Sequence, residues 1–189
     1  MEDGEQKLMS DVRPGDMVLT KNDAGLPIFD EVIMLMHRNQ HQVVDDYVKV
    51  TTYDNKTLTL SRLHLILLHD GKTKFAKDLT NNDLLSTYDS MNSKIHITSV
   101  RSVKYITKTG MYAPLTRSGT IIVDDVYVSC YTLFPSQRIS HAVFWVWRQF
   151  YHFFKRWDNS TGFTDGSIHW YPKLFKDGLD WLNVFHYII

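Results

Sequence analysis

Leu8-Met9-Ser10-Asp11-Val12-Arg13-Pro14-Gly15-Asp16-Met17-Val18-Leu19 and Phe75-Ala76-Lys77-Asp78-Leu79-Thr80-Asn81-Asn82-Asp83-Leu84-Leu85-Ser86 share one pattern: apolar, Asp, apolar, turn, Asp, apolar, apolar. A second pair follows in the same order, Asn55-Lys56-Thr57-Leu58-Thr59-Leu60 against Ser118-Gly119-Thr120-Ile121-Ile122-Val123. The spacings, 67 and then 63 residues, are nearly constant. Each unit therefore runs from an "Asp, turn, Asp, strand" element to a hairpin whose turn is polar or Gly-bearing and whose second strand is β-branched. This predicts an all-β domain of two pseudo-symmetric β subdomains sharing one core.

Outward from the repeats, Tyr47-Val48-Lys49-Val50-Thr51 and Thr57-Leu58-Thr59-Leu60-Ser61 alternate as half-buried strands do. Helical periodicity is weak before residue 138, which sets the expected β domain at 1–138. Residues 139–189 differ, because from 141 onward they hold all five tryptophans and 15 of the 25 aromatic side chains. Ile139, Val143, Val146, Phe150, Phe153 and Trp157 recur at three- and four-residue steps, with Trp147 and Phe154 widening the stripe. The segment 158–162 breaks that helix, and a second apolar-periodic segment follows from Ile168 to Phe185. A C-terminal pair of amphipathic helices is expected.

With 43% apolar and 22% charged residues in 189, the chain falls in the globular range. Lys plus Arg equals Asp plus Glu at 21 each, so no net field draws it to nucleic acid, and no such partner is expected. Apolar runs such as Leu63 to Leu68 are far short of the roughly 20 residues that span a bilayer. The single cysteine, Cys130, excludes an intrachain disulfide and a multi-cysteine zinc site. His69, His152 and His186 lack ligand spacing with carboxylates or cysteine, so no metal is expected.

The segment Tyr112-Ala113-Pro114-Leu115-Thr116-Arg117-Ser118-Gly119-Thr120-Ile121-Ile122-Val123-Asp124-Asp125-Val126-Tyr127-Val128-Ser129-Cys130-Tyr131 resembles a long signature of hedgehog C-terminal autoprocessing domains. Leu58-Thr59-Leu60-Ser61-Arg62-Leu63-His64-Leu65 and Glu31-Val32-Ile33-Met34-Leu35-Met36-His37-Arg38-Asn39 resemble two further strands of that family, and Ile168-His169-Trp170-Tyr171 a motif of its tail. The resemblance covers almost the whole chain. It implies the Hint fold shared with inteins, whose two related β subdomains agree with the repeat.

It also implies an activity that composition does not show. A cysteine at the head of such a domain attacks the preceding carbonyl to give a thioester, and the hydroxyl of cholesterol or another sterol displaces it. The partner implied is a covalently linked N-terminal signalling segment, and the route is the secretory pathway through the endoplasmic reticulum to an extracellular or membrane-associated state. In the family the nucleophilic cysteine stands about ten residues before the position matched by Glu2-Asp3-Gly4, so the 189 residues are expected to lack it and to be inert alone. A catalytically silent Hint-fold module for binding or membrane contact is the alternative.

Site residues follow from the matched motifs. His64 sits in an apolar run, where the bland reading is a core histidine bonded to backbone; the resemblance makes it proton donor and shuttle. Ser61 occupies a threonine position and keeps its hydroxyl. Cys130 lies in a strand where burial is the default; the resemblance sets it near the active centre, without the nucleophile's role. His37 stands where the family has an aspartate acting as base on the sterol hydroxyl. An imidazole of ordinary pKa near 6.5 takes a proton at neutral pH, but it supplies no standing negative charge, and a surface histidine in a diverged loop is the other reading. Trp145, Trp147, Phe150, Phe154, Trp157 and Trp170 either cap an edge of the β domain or, flanked by Arg148, Lys155 and Arg156, contact sterol or membrane. His141 has no specific role beside a cap at Ser140.

Overall fold

The computed structural model describes residues 5–132 together with 142–145, 148–149, 163–164, 168–169 and 173–174. Its strands are β1 (Met17–Lys21), β2 (Pro27–Thr52), β3 (Thr57–Ser61), β4 (Leu65–Leu67), β5 (Thr73–Phe75), β6 (Leu84–Asp89), β7 (Lys94–Thr116), β8 (Thr120–Val123), β9 (Val126–Ser129), β10 (Phe163–Thr164) and β11 (Ile168–His169). A short 3-10 turn spans Ala76–Asp78. The all-β expectation is met.

Two strands organise the sheet. β2 pairs antiparallel with β7 from Val32 opposite Thr116 to Thr52 opposite Val100. It also holds β1 along Pro27–Glu31 and β3 along Tyr47–Thr51. Bulges after Val32, Leu35, Asn39 and Val44 bend this ribbon, since each interrupts the ladder locally and adds twist. β6, β9 and β8 continue the sheet beyond β7, while β4 and β5 form a separate hairpin. Alternation drives the burial: β1 and β3 each bury every second residue, and Val32, Val48, Ile66, Leu85, Val100 and Leu115 are fully enclosed.

The repeat read from the sequence is present in atomic detail. In the first copy the Asp16 carboxylate accepts from Arg13 N at 2.8 Å and pairs with Lys7 at 2.7 Å. In the second, Asp83 accepts from Thr80 N at 2.7 Å and pairs with Lys74 at 2.7 Å. The apolar members, Val12 and Leu79, are both buried. The hairpin turns match as well. Thr52 Oγ1 accepts from Lys56 N at 3.1 Å, and Thr116 Oγ1 accepts from Thr120 N at 3.1 Å. Asn55 and Gly119 both hold left-handed φ, 63° and 78°. The turns are thus 64 residues apart (Thr52 to Thr116), one more than the strand side chains suggested.

Helical residues occur at 142–143, 145, 148–149 and 173–174, whereas Ile168–His169, where the second helix is expected to begin, is strand β11 paired to β10 and β2. The remainder of the expected helix pair and the 138/139 boundary lie outside the described residues. Phe144, absent from the apolar stripe read in the sequence, is fully buried and joins the main core. Arg148, read as a basic anchor beside that stripe, is instead 6% exposed. A guanidinium is buried only where acceptors await it, and the Tyr131 hydroxyl is one, at 2.8 Å.

Candidate active centre

β3 ends at Ser61, and the chain turns tightly there, His64 N donating to Ser61 O at 3.0 Å. His64 O then accepts from Ala76 N at 2.9 Å, and the next residue, Leu65, donates its N–H to Tyr131 O at 3.2 Å. The histidine is therefore fixed by main chain on both sides before its ring is considered. Its Nε2 lies 2.8 Å from the Ser129 carbonyl at the end of β9. A carbonyl only accepts, so Nε2 carries the proton and Nδ1 keeps the lone pair when the ring is neutral. Burial lowers the pKa of His64, and the Ser129 bond opposes that only in part. Among the described residues no hydrogen bond joins the Ser61 hydroxyl to the ring; main chain alone links them.

Cys130 follows Ser129 and is 2% exposed. Its N–H donates to Gly119 O at 2.9 Å, and its Sγ lies 3.7 Å from Thr116 Oγ1. Burial pushes the thiol up to about 11, so it is protonated at neutral pH. Thr116, which the sequence reading quoted without a role, is the hub here. It donates to Thr120 O at 2.8 Å and accepts from the N–H groups of Gly119 and Thr120. Tyr131 closes the cluster, its ring against Gly119 and stacked on Phe144 with centroids 5.6 Å apart.

His64, Cys130, Ser129, Thr116 and Tyr131 are thus one cluster. His37 lies elsewhere on β2, five residues past Val32, the partner of Thr116, a distance of at most about 17 Å along the strand. There it pairs with Ala113 of β7 and with Ile168 of β11, so the returning tail touches β2 at this histidine. Its Nε2 lies 3.1 Å from Gln42 Oε1. Of the expected sterol contacts, Trp145 is half exposed at 53%. Trp147, Phe150, Phe154, Trp157 and Trp170 lie outside the described residues. Among the described residues no helix is long and apolar enough to cross a membrane, and no cluster of metal-ligating side chains occurs.

Compared with known proteins, residues 1–183 match the model of the Hint module family. The chain is 28% identical to a Sonic hedgehog protein of Danio rerio over 98% of its own length and 49% of the relative's. It is 33% identical to a hedgehog protein of Drosophila virilis over 75% of its length and 30% of the relative's. An Indian hedgehog protein of Xenopus laevis is 30% identical, with 92% and 44% covered. The chain therefore spans about half or less of these relatives. Among solved structures, a DnaB intein from Synechocystis sp. superimposes with a TM-score of 0.55 over 68% of this chain and 89% of that one, at 14% identity. The gp41-1 intein gives 0.51 over 65% and 86%, at 16% identity. At such identities the likeness concerns the fold.

Proposed function

The chain belongs to the Hint family, in its hedgehog branch, and on that premise we propose that it is the self-processing module of a longer precursor. In the first step a cysteine thiol ahead of residue 1 adds to the carbonyl of the peptide bond preceding it. The C–N bond then breaks, the nitrogen takes a proton, and a thioester and a free amine result. In the second step a sterol hydroxyl attacks the thioester carbon, its proton passes to a base, the thiol leaves, and the upstream signalling segment departs as an ester. The nucleophile is not Cys130, whose thiol is buried and protonated.

The observation that supports this reading is the His64 ring with Nε2 committed to the Ser129 carbonyl. That leaves the Nδ1 lone pair to take the proton of the attacking thiol and deliver it to the nitrogen. Because burial lowers the pKa of the ring, the imidazolium is a stronger acid than histidine in water, which suits protonation of a departing nitrogen. For the second step His37 is the base, favoured by the return of the tail to β2 at Ile168. The aromatic residues of the tail, Trp145 among them, then contact the sterol or a membrane surface. By kinship with hedgehog proteins the precursor follows the secretory pathway.

The rival reading is a catalytically silent module. The test is a fusion carrying a reporter and a Cys-bearing first strand ahead of residue 1. Dithiothreitol or hydroxylamine should release the reporter, and His64→Ala should abolish release. A folded fusion that releases nothing favours the silent module. With cholesterol added, His37→Ala should keep thiolysis and lose the adduct, whereas His37→Asp should raise the ratio of adduct to free acid. An Ala variant that transfers sterol as fast as the parent removes His37 from the mechanism.

A further inference from the structure

One buried ion has no part in the chemistry above. Arg148 belongs to the tail, yet it is 6% exposed and its Nη1 donates to the Tyr131 hydroxyl at 2.8 Å. A guanidinium removed from water costs several kcal/mol unless its donors are matched, so a buried arginine is held by what it binds. Among what it binds is the residue next to Cys130. The Tyr131 ring has no freedom of its own: a Cβ on Gly119 would stand 2.7 Å from its hydroxyl, and Phe144, one helical turn before Arg148, stacks on its face at 24° between planes. Arg148 N donates to Phe144 O at 3.0 Å, so stacking and charge come from a single helical turn.

The main chain of Tyr131 continues into the centre. Its carbonyl accepts from Leu65 N, adjacent to His64, and its N–H donates to Ser129 Oγ at 3.0 Å. The Ser129 carbonyl in turn holds His64 Nε2. Through Ser129, every link from the guanidinium to the imidazole is a covalent bond or a hydrogen bond of 2.8–3.0 Å. We propose that Arg148 is a positioning residue for the self-processing reaction: its bond to the Tyr131 hydroxyl fixes the end of β9, and so the carbonyl that sets the tautomer and direction of His64. Docking of the tail is thereby coupled to the first step and not only to acceptor recognition. The inference rests on the function proposed above.

The experiment has one arm that does not depend on that function. In the 189-residue chain, nitrogen chemical shifts of labelled histidine report the His64 tautomer and its titration. Arg148→Met and Tyr131→Phe should each loosen the Ser129 bond, mixing the Nδ1–H tautomer into the spectrum and moving the His64 titration. Arg148→Lys, which keeps a donor, should restore the parent spectrum in part. In the reporter fusion, Arg148→Met and Tyr131→Phe should each slow thiolysis by about tenfold, the loss expected for one hydrogen bond to a charged group. The double variant should be no slower than the slower single one. A parent fusion that does not cleave sinks the processing reaction but leaves the histidine spectra to judge Arg148. If Arg148→Met fails to fold, Tyr131→Phe, which removes one oxygen, decides. A folded variant with unchanged His64 spectra, or additive effects in the double variant, overturns the proposal.

Discussion

The turn at residues 52–56 and the turn at 116–120 have one backbone and two surroundings. In both, a buried threonine hydroxyl binds the main chain four residues on, and the fourth residue is left-handed. Behind Thr52 stands Asp54, which accepts from the Thr52 hydroxyl and from Thr87 Oγ1 at 2.8 Å. Behind Thr116 stands Cys130, and the left-handed residue is Gly119 under the Tyr131 ring where the first turn has Asn55 with its amide oxygen on Arg101. Duplication supplies the same cradle twice. Only in the copy that dropped a side chain does an aromatic ring fit, and that ring carries the strand end holding His64.

Exchanging the left-handed residues separates the two turns most sharply. Gly119→Asn must displace a ring held on three sides and should cost about 2–3 kcal/mol, lowering Tm by several degrees. Asn55→Gly should stay within about 0.5 kcal/mol, because glycine accepts that backbone and the lost contact is exposed. Equal changes in thermal unfolding would mean that Tyr131 is not what requires glycine.

Next in size are the threonines. Thr116→Val and Thr52→Val each strand buried main-chain groups and should lose about 2 kcal/mol in urea unfolding. Thiolysis of the reporter fusion should slow for Thr116→Val alone. A matching slowdown in Thr52→Val would show that the turns share more than a backbone.

The paired aspartates sharpen the same contrast through pH. Partial burial raises the pKa of each, but for Asp83 the bonds from Lys74 and Thr80, and for Asp16 those from Lys7 and Arg13, outweigh it and hold both carboxyls low. Between the folded pKa and an unfolded value of about 3.9, the unfolded chain binds more protons. Stability from these groups is present above about pH 4 and is lost as pH falls through the folded pKa. Asp83→Asn, at the more enclosed site, should flatten the acid limb of a Tm profile more than Asp16→Asn, each costing about 1 kcal/mol at pH 7. Smallest of all, Lys7→Ala and Lys74→Ala should each change stability by about 0.5 kcal/mol or less, since both ammonium groups are partly solvated.

How much of this is legible in the residues depends on where the partners lie. The Asp-turn-Asp elements are local, so spelling reveals them, lysine pairs aside. The 26-residue length of β2 is not legible. From His37 to Asp46 the chain is mostly polar and crosses two bulges, so neither strand period survives there. At the centre, His64 and Cys130 are singled out through motifs, but the Ser129 carbonyl between them is main chain and leaves no trace in side-chain pattern. Arg148 misleads for a related reason. On a helical wheel it sits beside an aromatic stripe and reads as solvated, whereas the fold buries it against a residue 17 positions upstream.

The bond from His64 to Ser129 spans 65 residues of chain, and that number is also a clock. A ribosome adding about 5–20 residues per second needs roughly 3–13 s to make the stretch between them. Throughout that interval the imidazole exists without the carbonyl that orients it, and loop closure over such a distance cannot precede synthesis of the strand that closes it. On the function proposed above, an upstream segment has those seconds to acquire its own structure before the bond joining it to the module is cut.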